Sequence, residues 1–196
     1  MDSKEKPRCW NTTNPLYIKY HDEEWGVPLH DDNMLFEFLV LDGFQAGLTW
    51  LLILQRREQF RKSFDCFDPQ KIAAYTDLDI ERLMKTPNII HNKLKIKATL
   101  KNARQFLIVQ KEFGSFNDYI WSFVGGKTVS NTFARLQDLP AETEESKAMS
   151  KDLKVRGFQF VGPTICYAFM QAAGLVNDHL TNCFRYKQIE RMGNNP

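Results

Sequence analysis

Apolar positions along the chain recur at three- and four-residue steps, and hardly anywhere at two. In residues 33–44, NMLFEFLVLDGF, Leu35, Phe38, Leu39 and Asp42 keep that rhythm behind the capping acids Asp31 and Asp32. Residues 48–64 run from apolar into amphipathic. Asp68-Pro69 is a cap followed by proline in the first helical position, and Thr76 with Asp79 is a capping-box pair. Residues 92–113 predict a long amphipathic helix with a basic face, stopped at Gly114; 115–124 predict a short one ending at Gly125-Gly126. Two more follow at 144–156 and 163–174, stopped by Gly157 and Gly174. Alternation is confined to ambiguous runs such as KTVSN. The expectation is an all-α fold of eight or so helices with short loops.

Length and composition narrow this further. A chain of 196 residues that is 43% hydrophobic can bury a core as one domain or two small lobes. The net charge of +2 permits nucleic acid without indicating it, so a binding surface would have to come from local clusters of Lys and Arg. The start MDSKEKPRCW has no apolar signal segment, and no stretch reaches the length of a membrane span, so an intracellular protein is expected. Cys66 and Cys166 sit among apolar neighbours and are expected to be small buried hydrophobes. The polar stretch 187–196, KQIERMGNNP, is expected to be a frayed tail.

Three places carry candidate chemistry. GFQFVG at 157–162 joins two helices, with Pro163 opening the second and Lys151, Lys154 and Arg156 just upstream. It is either a plain αα-hairpin or a helix-hairpin-helix whose free N–H groups grip a phosphate. NDHLTNC sets His179 and Cys183 four apart, on one face if helical, and Cys9 with His21 could complete a tetrahedral zinc set. The alternative is four unrelated residues. YIKYHDEEWG at 17–26 gathers Tyr17, Tyr20, His21 and Trp25, and LDGFQAGLTW at 41–50 supplies Asp42 and Trp50. Rings beside one carboxylate suit a flat cation; ordinary core is the competing explanation.

Together the stretches NPLYIKYHDEEWGVP, LDGFQAGLTW, FDP, YIWSFV and KVRGFQFVGPTICYAFMQAAGLVNDHLTNC resemble the 3-methyladenine DNA glycosylase I family, in register from residue 8 to about 186. The resemblance implies a helix-hairpin-helix glycosylase fold, one domain over 1–186 with two lobes around a cleft. It implies a structural zinc on Cys9, His21, His179 and Cys183, and a damaged-base pocket on Tyr17, Tyr20, Trp25 and Trp50. The family's pocket acid is usually glutamate; here Asp42 stands there, one methylene shorter. Gly47 and Leu48 would wedge into the duplex, and Gly157, Gly162 and Lys154 would hold its backbone. Asn177 occupies the position where many relatives of this fold carry a catalytic aspartate, and Pro163 and Thr164 leave no Schiff-base lysine after the hairpin. The implied activity is release of 3-methyladenine from alkylated double-stranded DNA by a monomer without lyase action, the free base being the product. A non-catalytic or lesion-shifted DNA-binding protein is the alternative that Asp42 leaves open.

Overall fold

The computed structural model describes residues 6–193 and is helical almost throughout. In chain order the helices are α1 (Pro15–Glu23), α2 (Asp32–Gln45), α3 (Trp50–Ser63), α4 (Pro69–Ala73), α5 (Asp77–Lys85), α6 (Lys93–Phe113), α7 (Phe116–Trp121), α8 (Glu144–Val155), α9 (Pro163–Ala172) and α10 (Tyr186–Gly193). Asp31, Asp68 and Thr76 cap helices as the sequence predicts, and Thr49 and Asn92 are further caps. Asp31, Thr49, Asp68 and Asn92 each accept from main-chain N–H groups at the start of a helix, and Thr76 with Asp79 closes a capping box.

The centre is α2. Every residue from Leu35 to Phe44 is buried, including Glu37 and Asp42. A helix apolar on all sides must be enclosed on all sides, and α2 packs against α3, α6, α7 and α9. Its start is fixed by Asp32, which accepts from the N–H groups of Phe116 (2.9 Å) and Asn117 (2.7 Å) and from Gln110 Nε2 (2.6 Å). The buried Arg57 of α3 pairs with Glu37 of α2 and with Glu24 just beyond α1.

Three expectations are corrected. KTVSN does contribute extended chain: Val129–Ser130 (β1) pairs in parallel with Val176–Asn177 (β2). Cys66 is exposed rather than buried, on a turn where its φ is +54°. Most of the stretch after Tyr186 is no tail. It forms α10, whose Ile189 is fully buried against the rest of the fold, a tertiary contact that a short polar helix does not announce. Residues 194–196 lie outside the described residues.

The two chain ends meet beside α9. Gly26 N–H donates to Gln171 O and Leu29 N–H to Ala173 O, both at 3.0 Å, while Phe184 N–H reaches Pro7 O at 3.0 Å. This seam passes so close to Gly174 that a Cβ there would lie 2.4 Å from the Val27 carbonyl carbon, and the residue's φ is +72°. Gly174→Ala is therefore expected to destabilise the fold by about 3 kcal/mol or more, from backbone overlap plus the left-handed conformation. Urea unfolding of the two proteins measures it; an unchanged midpoint would contradict the seam.

Candidate base pocket and metal centre

Two groups of side chains share the region where the ends meet. The first is a buried quartet. Cys9 and His21 come from the start of the chain, and His179 and Cys183 from the segment between β2 and α10. One ligating atom from each lies within 4.8 Å of the others. Cys9 Sγ is 3.4 Å from His179 Nδ1, and Cys183 Sγ is 3.6 Å from both His21 Nε2 and His179 Nδ1. A zinc tetrahedron with ordinary Zn–S and Zn–N bonds has S···N edges of about 3.5 Å.

The free ring nitrogens are held as zinc-binding histidines usually are. His179 Nε2 pairs with Trp25 O at 2.9 Å. His21 Nδ1 pairs with Asp22 at 2.8 Å, and Asp22 is itself clasped by Arg8 at 2.7 and 2.8 Å. Main-chain N–H groups of Leu180 (3.3 Å) and Arg185 (3.5 Å) point at the two sulfurs. Gly26 leaves room for the His179 ring, which a Cβ would approach to 3.1 Å. Residues 178–185 are turn rather than helix, so the four-residue spacing of His179 and Cys183 converges through a turn closed by Cys183 N–H on Leu180 O (2.8 Å). The donor set, its edges and its burial fit zinc. All four positions of such a site are protein, which leaves no place for a reacting water and makes the group structural.

The second group is aromatic. Tyr20, on α1, faces Trp50 at the start of α3, their ring centroids 5.5 Å apart, and Tyr17 lies three residues earlier on the same helix. Trp10 was not expected here. It stacks on Tyr17 at 4.6 Å and touches Trp25 at 4.8 Å. The available signal was adjacency: Trp10 follows a predicted ligand, and a fixed Cys9 fixes its neighbour. Trp25 is a rear wall, its ring edge-on to His179 at 4.6 Å.

Asp42 lies behind these rings, on buried α2. It is 3% exposed and its Oδ2 has no hydrogen-bond partner; Trp50 Nε1 is likewise buried and unpaired. Buried polar atoms are nearly always paired; Arg57 Nη2 and Arg185 Nε are also unpaired among the described residues, but only Asp42 and Trp50 flank one turn. Burial raises the Asp42 carboxyl well above the usual carboxylate range. Burial and then the charge of Asp42 raise the Tyr20 hydroxyl in turn, which sets carboxyl and ring within electrostatic reach.

Between Asp42 and Trp50 the chain turns through Gly47, exposed at φ +77°, and half-buried Leu48. Gln45 closes this turn, its Nε2 on Leu48 O at 2.9 Å. The hairpin 157–162 follows α8, with Gly157 at φ +91° and Gly162 as the N-cap of α9. A Cβ on Gly162 would meet open space, so internal packing does not demand glycine there. Exposed Lys154 borders a groove of about 690 Å³ with Lys97, Lys101, Phe158 and Phe160.

The sequence pattern of the methyladenine glycosylase family matches residues 10–186. The DNA-3-methyladenine glycosylase of Haemophilus influenzae is 49% identical over 177 residues, covering 90% of this chain and 96% of that protein. DNA-3-methyladenine glycosylase 1 of Escherichia coli K12 is 48% identical over 180 residues, covering 91% and 96%. A crystal structure of 3-methyladenine DNA glycosylase I superposes with a TM-score of 0.88 at 50% identity, over 91% of this chain and 98% of that one.

Two outcomes follow from this geometry. Cys183→Ser removes one of four ligands, so bound zinc should fall from one per chain to a small fraction and the melting temperature by about 10 °C or more; full zinc content in the variant would contradict the site. Asp42→Asn replaces a group that burial keeps protonated. Its stabilising protonation is complete below the unfolded-state pKa of about 4 and is lost as pH rises toward the higher folded value. The ligand-free variant should therefore melt about 5 °C above the parent at pH 7, from removal of a penalty of roughly 2 kcal/mol, with the gap closing below about pH 4. A gap that is the same at pH 4 and pH 7 would contradict the raised proton affinity of the buried carboxyl.

Proposed function

The chain belongs to the methyladenine glycosylase family, and from that membership and the site we infer a DNA repair glycosylase that hydrolytically releases 3-methyladenine from alkylated DNA without cutting the strand. The observation that carries the site chemistry is the carboxyl of Asp42, buried without a partner behind a cluster of rings. A vacancy of that kind is filled by a flat cation with N–H donors. N3-methylation makes adenine such a cation while the base is still attached to its sugar.

The steps are assigned as follows. The damaged nucleotide leaves the helix, as a base must before its glycosidic bond can be reached. Leu48 and Gly47 take up the space it vacates. Ring faces from Tyr17, Tyr20, Trp50 and the newly found Trp10 attract the charged purine, with Trp25 backing them. As the cation enters, Asp42, whose proton affinity burial raises, passes its proton to water and accepts hydrogen bonds from the purine. The positive base is a good leaving group: the C1′–N9 bond breaks, its electron pair stays with the base, which departs neutral, and water adds to the sugar carbon. Little acid–base work is needed, which accords with Asn177 at the place where relatives of the fold use an aspartate. The zinc site supplies rigidity to the rear wall through His179 and Trp25.

The double-stranded DNA is held at the hairpin between Gly157 and Gly162, with Lys154 adding charge, and the contact is with its backbone rather than its bases. The protein acts as a monomer, over one domain that takes in α10, and works inside the cell where its substrate is. Among the described residues no helix is long and apolar enough to cross a membrane.

Chromatography of bases freed from methylated duplex DNA tests the assignment. The parent should release 3-methyladenine with no strand scission. Asp42→Ala should release it roughly 10- to 100-fold more slowly, and Asp42→Asn should bind free 3-methyladenine weaker by a similar factor, the range expected for lost hydrogen bonds to a charged group. Release of a different methylated purine by the parent would shift the lesion choice, which is the reading that the shorter acid favours. No released base at all would overturn the glycosylase.

A further inference from the structure

One face of α6 carries three buried polar side chains: Thr99 only donates back to the Lys95 carbonyl of its own helix, whereas Lys95 and Asn102, seven residues apart, reach other elements, and neither belongs to the pocket, the wedge or the metal centre. Lys95 is 8% exposed. Its Nζ donates to Phe44 O at 2.8 Å and to Ala46 O at 2.6 Å, and it stands 5.8 Å from the centroid of the Phe160 ring. Asn102 is 4% exposed and pairs in both directions with the main chain of Gln159: it accepts from Gln159 N–H at 2.8 Å and donates to Gln159 O at 2.9 Å.

The two sets of partners are the two working parts of the molecule. Phe44 and Ala46 end α2, one turn beyond Asp42 and directly before Gly47 and Leu48. Gln159 and Phe160 are the middle of the hairpin. The last carbonyls of a helix lack intrahelical partners and carry its negative pole, which is where an ammonium with three donors is best placed. Burying that charge is costly without such partners, and packing alone would be served by a methionine of similar size. The junction is also tight. A Cβ on Gly43 would lie 3.4 Å from Phe160 Cβ, and the space enclosed among α2, α6 and the hairpin is about 10 Å³, at the lower limit for one water. Displacement of one part is passed on rather than absorbed.

We propose that α6 is a bracket that fixes the pocket and wedge relative to the DNA grip, with Lys95 a positioning residue for base release and Asn102 its counterpart for backbone binding. This rests on the glycosylase reading above. Lys95 acts through the turn it holds, not on the reacting atoms. A loosened turn misplaces Asp42 and Leu48 after DNA is bound, whereas a loosened hairpin weakens binding itself. Misplacement on the ångström scale is worth about a hundredfold in rate.

The test separates the two effects by single-turnover base release at saturating methylated duplex, alongside affinity for methylated and unmodified duplex. Lys95→Met should lower the saturating rate ten- to hundredfold with duplex affinity within threefold of the parent, and Lys95→Arg, which keeps the donors, should recover at least a third of that rate. Asn102→Leu should weaken both duplexes about tenfold while the saturating rate stays within threefold. Should Lys95→Met fail to melt cooperatively, Lys95→Gln takes its place against Lys95→Arg. A parental saturating rate in Lys95→Met, an equal loss in Lys95→Arg, or parallel loss of rate and affinity in both positions overturns the bracket alone. A parent that frees no base overturns the glycosylase and the bracket with it.

Discussion

Four side chains drawn from the two ends of the chain meet at one point, and the pocket depends on that meeting. Three of the four are tied directly to the aromatic cluster. Cys9 precedes Trp10 and His21 follows Tyr20 in the chain, while His179 bonds to the Trp25 carbonyl and abuts its ring. Fixing the quartet therefore fixes three rings that surround the slot. Cys9 and His179 are 170 residues apart, so the same contacts close almost the whole chain into a loop and oppose fraying at both ends. A zinc held by these four residues would leave no open position, yet on the proposed reading it would still bear on recognition by stiffening the wall that carries Trp25.

Against that rigid wall stands a group that works against the fold. Asp42 sits on the most deeply buried helix, where an apolar residue would stabilise more. Buried Arg57 also keeps one unpaired atom, Nη2, but its charge is answered by Glu24 and Glu37. No hydrogen bond answers Asp42 Oδ2. On the proposed reading, that difference separates a charge neutralised within the fold from a carboxyl kept for a ligand, since sites that bind by electrostatics hold their polar groups ready at the expense of stability.

Helix starts and stops were legible because capping is local: Asp31, Thr76 with Asp79, and Pro163 each act within one turn. The metal set was legible as two half-sites, although the helical reason for pairing His179 with Cys183 was wrong and a turn does the work. What escaped was whatever depends on contact at a distance. Ile189 is the one fully buried apolar side chain in a polar run, and with Tyr186 and Gly193 it makes α10 part of the fold. Cys66 looked apolar by its neighbours, yet the left-handed turn at Asp65–Phe67 carries it outward. Trp10 lay next to a predicted ligand and was passed over. Lys95 and Asn102 were hidden most completely, because their partners are main-chain groups, which every residue has and no motif records.

Those hidden contacts bear on the departure of this chain from its family. Where the resemblance expects glutamate, Asp42 falls short by one methylene. In principle α2 could advance to make up the reach. In this fold it cannot slide. Its N-terminus is fastened through Asp32 to the start of α7, its last carbonyls are held by Lys95, and Gly43 already lies against Phe160. Moving the helix by the length of a carbon–carbon bond would break hydrogen bonds at both ends, each worth about 1 kcal/mol or more, and would press on the hairpin. On the proposed reading, the missing length is therefore supplied from the other side, by a purine seated deeper between the rings or by a water on the carboxylate, and Tyr20, whose hydroxyl feels the charge of Asp42, stands where the two would differ.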